Sequence, residues 1–243
     1  MKNEPPDYYT KKFQRFYDNM FSRFYDLFVK FMLFGLEKKL RLMIFNMQKF
    51  YNNDKILDLC CGTGAMSFLI AEMVRGDVKI LGVDLSDGQL REATKKNKYK
   101  NVKFMKMNAL KLNFEDNYFT KVIISLALHE MPREVRYAVL KEVKRVLKPN
   151  GLVTIIEHNE PSRTFWRIQY LGYIGYWLPF SPEAETSKDL VRHGLVRELI
   201  ESGFEIYRYK KVSEGLKHFF QIAIAKKVKI YLNFDWLLSK RHS

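Results

Sequence analysis

Lys55-Ile56-Leu57-Asp58-Leu59-Cys60-Cys61-Gly62-Thr63-Gly64 decides the fold. The run Lys55–Cys60 reads as a buried strand, Gly62 and Gly64 form a tight turn, and a helix follows to about Val74. A glycine turn between a strand and a helix brings backbone N–H groups close to a ligand at the carboxyl end of the strand. The dinucleotide fingerprint needs a third glycine, and Ser67 stands at that position. The phosphate-loop Lys-Ser/Thr is missing too, so the turn suits a nucleoside-bearing ligand without a diphosphate. Asp84 ends the next strand, where a carboxylate can accept both hydroxyls of a ribose.

Working outward, short apolar runs alternate with helical segments. Strands are expected at Val78–Val83, Val102–Met105, Lys121–Leu126 and Leu152–Ile156, with helices over Asp87–Lys98 and from Pro132 to about Leu147. Pro149-Asn150-Gly151 reads as a turn. A helix Ser187–Ser202 follows, capped by Gly203, and then strands Phe204–Tyr209 and His218–Ala225, the last antiparallel to its neighbours. Strands buried on both faces and alternating with helices make a parallel sheet in an open α/β fold. Residues 1–50 are expected to be a helical cap, with aromatic residues at helical spacing from Phe13 to Phe31, and 51–227 the main domain. Within it, 160–186 is an aromatic insert covering the site, and 228–243 a basic, aromatic tail.

The chain has 243 residues, 47% of them hydrophobic and 15% aromatic, too apolar for a disordered protein. The formal net charge of +15 raises nucleic acid and anionic membrane as partners. The excess is +5, +6 and +4 over residues 1–51, 52–150 and 151–243, a spread and not a tail. No apolar run reaches the length of a membrane span and no cleavable signal is visible, so a cytoplasmic protein is expected, with peripheral membrane contact open. Cys60 and Cys61 are adjacent; they read as small hydrophobes, and no metal site is expected.

Asp58 to Gly64 resembles the first motif of class I S-adenosylmethionine-dependent methyltransferases. The resemblance implies a Rossmann-like seven-stranded sheet, with N-terminal helices and the aromatic insert covering the site. It implies S-adenosyl-L-methionine as cofactor and S-adenosyl-L-homocysteine as product. Asp58 is then similar to the acid that holds the cofactor's amino end. Cys60, Gly62, Thr63 and Gly64 form its turn, Asp84 binds ribose and Leu85 packs on adenine. Asn108-Ala109 occupy the usual Asp-Ala position, and Ser125 and Leu126 close the wall. Glu142-Val-Lys-Arg-Val-Leu-Lys-Pro-Asn-Gly151 resembles the family segment before the fifth strand. Tyr25-Asp26, Phe34-Gly35-Leu36 and Glu157–Pro161 bring the ubiquinone/menaquinone C-methyltransferases nearest, although Val29 and Leu33 stand where those enzymes usually hold Asn and Ser.

A sulfonium methyl is already activated, so the protein must mainly orient the acceptor and take up a proton. His129 and Glu130, just past the fourth strand, are the acid–base candidates; His129 could equally fix the start of the next helix. Glu157 either orients substrate or caps the pocket edge. Tyr17, Tyr25, His158, Asn159, Tyr170, Tyr173 and Trp177 are candidates for the acceptor surface, since an aromatic cover suits a lipophilic or aromatic small molecule, such as a quinol. Rival readings are O- or N-methylation of another small molecule or phospholipid, an RNA methyltransferase, and a non-catalytic partner subunit. Nucleic acid is disfavoured by Leu126–Pro132, which lacks the Asn/Asp-Pro-Pro-Tyr/Phe stretch of amine methyltransferases. A homodimer stays open.

Overall fold

A computed structural model describes residues 18, 25–27, 30, 37–74, 76–159, 183–212 and 220–228. Helix α1 (Glu37–Met47) precedes strand β1 (Lys55–Leu59), then α2 (Ala65–Met73), β2 (Lys79–Asp84), α3 (Asp87–Lys96), β3 (Val102–Lys106) and β4 (Phe119–Ser125). A short 3-10 turn, Leu128–Glu130, leads to α4 (Arg133–Val146) and β5 (Leu147–His158). The chain ends in α5 (Glu183–His193), α6 (Leu195–Glu201), β6 (Phe204–Val212) and β7 (Phe220–Lys227). The seven strands are ordered β3-β2-β1-β4-β5-β7-β6. Six point the same way, and β7 runs antiparallel to both its neighbours β5 and β6, as the sequence led one to expect. This is the Rossmann-like sheet of class I methyltransferases.

Because central strands are buried on both faces, each carries two cores. Leu57, Leu59, Val122 and Ile124 meet α4 and α6 on one side through Val139, Leu140, Val143 and Leu199. Ile56, Ile80 and Ile123 meet α1 and α2 on the other through Leu40, Ile44 and Ile70. Strand order reverses between β1 and β4, so their carboxyl ends splay apart and open a crevice. No helix among the described residues is long and apolar enough to cross a membrane.

Two boundaries differ from the sequence reading. β5 begins at Leu147, not Leu152: the fully buried Leu147 pairs with Phe119 before the ladder resumes at Lys121–Leu152. The intended turn becomes an irregularity inside the strand, with Asn150 at φ 65. The single helix expected over Ser187–Ser202 is two, α5 and α6, broken at Gly194 with φ 96 and ψ 122. A Cβ at Gly194 would meet nothing within 4 Å, so only backbone strain opposes a side chain there. Gly194→Ala is expected to cost about 1–2 kcal/mol, read as a lowered urea midpoint.

α4 is locked onto α5 and α6 by one buried guanidinium. Arg136, fully buried, donates from Nε to Glu198 Oε2 at 2.9 Å and from Nη2 to Asp189 Oδ2 at 2.7 Å. Its Nη1 reaches back to the Met131 carbonyl at 2.7 Å and so fixes the segment before α4. Residues 160–182 of the aromatic insert and nearly all of the tail lie outside the described residues, as does most of the N-terminal cap.

Candidate active site

The carboxyl ends of β1, β2 and β4 frame a cavity of about 470 Å³. Its floor is the turn after β1, where Cys60, Gly62 and Gly64 take φ 58, 54 and 83. Three left-handed residues in five reverse the chain sharply enough to aim backbone N–H groups at the crevice. A Cβ on Gly62 would come into ordinary contact with Gln89 Oε1 at 3.9 Å and Tyr25 Cε1 at 4.0 Å, so what calls for glycine there is the positive φ. Gly64 serves a different purpose. Its Cβ would stand 2.6 Å from the Phe104 ring, so the missing side chain admits a core aromatic behind the turn.

Asp84 closes the turn. Its Oδ2 accepts from Gly62 N–H at 2.8 Å and its Oδ1 from Ser86 N–H at 3.0 Å, while burial raises its carboxyl above the usual range. Asp58 lies beneath, 1% exposed, its Oδ2 accepting from the Ser67 N–H and hydroxyl at 3.0 and 2.6 Å. Burial pushes Asp58 up to about 6, against these bonds and the charge of Arg41. Burial also raises both cysteine thiols, which are therefore neutral and inert. Thr63 donates its hydroxyl to Asp26, which also pairs with Lys96, so Asp26 is held against the turn.

Asp58, Cys60, Gly62, Thr63, Asp84, Leu85, Asn108, Ala109, Ser125 and Leu126 all line the cavity, and Tyr25 with them. Asn108 spends its side-chain oxygen on Leu110 N–H at 3.0 Å, leaving one lone pair and the amide to a ligand. Glu130 lines the cavity; His129, Glu157, His158 and Asn159 do not.

His129, Glu157 and His158, all buried, brace the wall. Glu157 Oε1 accepts from Ala127, Leu128 and His129 N–H at 2.8, 2.7 and 3.3 Å. Its Oε2 takes His158 N–H at 3.0 Å and stands 2.9 Å from His129 Nδ1. Fully buried and with both oxygens committed, Glu157 holds the segment that carries Glu130, so of its two expected roles the geometry favours the one away from substrate. His158, stacked on His129 with centroids 4.2 Å apart and within 3.2 Å of Ser187 Oγ, is part of the same brace and not of the acceptor surface. Ligand atoms of the three lie within 4.8 Å of one another. The stacked rings and saturated carboxylate describe a hydrogen-bonded brace better than a chelate. Tyr17, Tyr170, Tyr173 and Trp177 lie outside the described residues.

Four polar atoms of cavity-lining residues are buried without a partner: Glu37 Oε2, Arg41 Nε, Gln89 Oε1 and Ser125 Oγ. Gln89 and Arg41 escaped the sequence reading. Gln89 sits in the first turn of a helix read only as polar, and Arg41 lies one residue off the apolar stripe Leu40–Ile44–Met47. Unpaired polar atoms around an apolar cavity fit a ligand with polar edges and a charged end.

The model of the ubiE/COQ5 methyltransferase family matches residues 7–184. The chain belongs to the ubiE/COQ5 methyltransferase family. It is an S-adenosylmethionine-dependent methyltransferase. A demethylmenaquinone methyltransferase of Listeria monocytogenes serotype 4b is 29% identical over 198 residues, covering 75% of this chain and 83% of that one. Another, from Lactococcus lactis, is 39% identical over 128 residues, 51% of this chain and 50% of its own. Among solved structures, an S-adenosylmethionine-dependent methyltransferase from Aquifex aeolicus superposes with TM-score 0.62 at 18% identity, covering 93% of this chain and all of its own. The [4+2]-cyclase SpnF gives 0.61 at 19% identity, covering 79% and 81%. At such identities the likeness is one of fold, and a fold shared with a cyclase leaves the acceptor to be argued from the cavity.

The cavity fits the family's cofactor. Asp84 offers a carboxylate for a ribose, Leu85 an apolar edge for a base, and Gly62 a backbone without a side chain in the turn that lines the cavity.

Proposed function

We propose that the protein transfers a methyl group from S-adenosylmethionine to a ring carbon of a quinol of the demethylmenaquinone type. The relatives' names carry this reading. Support from the cavity is chemical: one stretch of its wall, Leu126, Met131, Val135 and Val139 with Glu130 beside them, is apolar, while Lys30, Glu37, Lys38, Arg41 and Glu72 line another. Methionine and branched side chains suit a flat, greasy ring, and a lone carboxylate among them suits a hydroxyl on it.

Bound S-adenosylmethionine supplies an activated methyl on a sulfonium. The chain has to hold the acceptor in line, exclude water and take up the proton that ring methylation releases. Glu130 is the acid–base candidate that reaches the cavity, and we assign it that proton; His129, turned into the brace, positions it. Tyr25, against the turn, covers the cavity from the N-terminal side, and we read residues 1–50 and 160–186 as the remaining cover. The spread positive charge and lipophilic acceptor fit peripheral contact with an anionic membrane.

Incubation with methyl-labelled cofactor and a reduced demethylmenaquinone, followed by mass spectrometry, tests the reading. Label in the ring is the expected outcome. Glu130→Gln should lower kcat about 100-fold with little change in cofactor affinity. Label on a hydroxyl oxygen, in a phospholipid or in RNA would replace the quinol carbon by another acceptor.

A further inference from the structure

Helix α1 has two working faces. Leu40, Ile44 and Met47 are buried in the core. Glu37 and Arg41, one turn apart, line the cavity instead. An acid four residues before a base on a helix ordinarily closes an ion pair. Among the described residues these two close none, although the neighbouring Lys38 pairs with Glu72 at 3.6 Å. Glu37 Oε2 and Arg41 Nε are both buried without a hydrogen-bond partner. Leaving a buried polar atom of each group without a hydrogen bond is costly even with the charge of Arg41 acting on Asp58, and the cost persists where a ligand recovers it. The missing partner must therefore bring an anion and a cation together into this end of the cavity.

The far side of the same cavity is built for a nucleoside, with Asp84, Leu85 and Asn108. A nucleoside with a zwitterion at its other end is the cofactor already assigned by family, and this inference rests on that assignment. We infer that Arg41 receives the carboxylate of the cofactor's amino-acid end and that Glu37 receives its ammonium. A guanidinium matches a carboxylate with two parallel N–H donors, where a lysine would offer a point charge. Asp58, to which resemblance gave the ammonium, is the weaker counter-charge of the two acids. Its Oδ2 is committed to Ser67 and burial raises its carboxyl to about 6, so it spends part of its time neutral. Glu37 and Asp58 then divide the task.

Calorimetric titration without any acceptor isolates this role. S-adenosylhomocysteine carries the amino-acid end; 5′-methylthioadenosine has the same nucleoside and thioether but lacks it. Arg41→Ala is expected to weaken S-adenosylhomocysteine about 10- to 100-fold and to leave methylthioadenosine within about twofold. Glu37→Gln, isosteric with the natural residue, should weaken the first ligand about 10-fold and spare the second. Arg41→Lys should recover part of the loss. Methylthioadenosine binding also reports that each variant is folded. Equal weakening of both ligands would make the two residues structural and overturn the inference. Unchanged binding of both would overturn it as well, while leaving the cofactor assignment intact. Failure of the wild-type chain to bind S-adenosylhomocysteine would remove the cofactor assignment and this inference together.

Discussion

Glu157→Ala should lower the unfolding free energy by about 3–5 kcal/mol, enough to leave little folded protein if the total lies at the low end of the usual range. The substitution strips the acceptor from four backbone N–H groups, those of Ala127, Leu128, His129 and His158, and from the His129 ring. None of these can reach water, because Glu157 is fully buried and the two histidines nearly so. Burial alone would raise this carboxyl, yet the charges and hydrogen bonds of His129 and His158 hold it down at about 2. The native structure is thus built around the anion. Glu157→Gln separates the two duties of the group. Its amide oxygen can keep the Ala127 and Leu128 bonds, but its NH₂ faces the His158 N–H, donor against donor. A loss of roughly 2 kcal/mol is expected, with the fold retained. Since the braced segment carries Glu130 into the cavity, the glutamine variant should fold, bind cofactor and turn over slowly. Urea unfolding followed by fluorescence measures the first effect and labelled methyl transfer the second. An alanine variant as stable as the wild type would show that the brace carries no load.

That brace also marks where sequence reading stops. The turn was legible because its chemistry is local: glycines at positive φ, an acid at the end of each flanking strand, and apolar runs too short for helices. The sheet was legible for the same reason. Glu157 and the 127–129 backbone are brought together by the β4–β5 register, which sets Ser125 beside Ile156, and a register is not written in either strand alone. The sequence accordingly offered Glu157 two roles, and the ladder decides between them. Gly194 misled because an isolated glycine inside a helical pattern is ordinarily tolerated. Gly64 hides a second requirement: its missing Cβ makes room for Phe104, 40 residues later in the chain, a contact that the motif does not announce. Arg41 and Glu37 were invisible because their partnerless state exists only once α1 is laid against the cavity.

Acid should act on this fold in two stages, and His158 governs the first. Burial, helped by the charge of His129, lowers its pKa from 6.5 to about 3. Between those values the unfolded chain binds a proton that the folded chain does not, so stability falls as the pH is lowered, by about 1.4 kcal/mol per pH unit. Asp58 works the other way. Raised from 3.8 to about 6, it binds its proton first in the folded chain and gains stability as the pH falls through that window. From pH 6 to 4.5 the two oppose each other, and the wild-type profile should be nearly flat. Below 4.5 Glu157, depressed to about 2, joins His158, and Asp58 stops compensating below 3.8. The lowered carboxyls of Glu142 and Asp189 steepen the same limb. A collapse below pH 4.5 follows, after a plateau. His158→Phe keeps a flat ring against His129 and removes the titration. Its baseline stability drops, but its urea midpoint should rise, not stay level, between pH 6 and 4.5, because Asp58 then acts unopposed. Parallel profiles for the two proteins across that interval would mean that His158 is not held neutral in the folded chain.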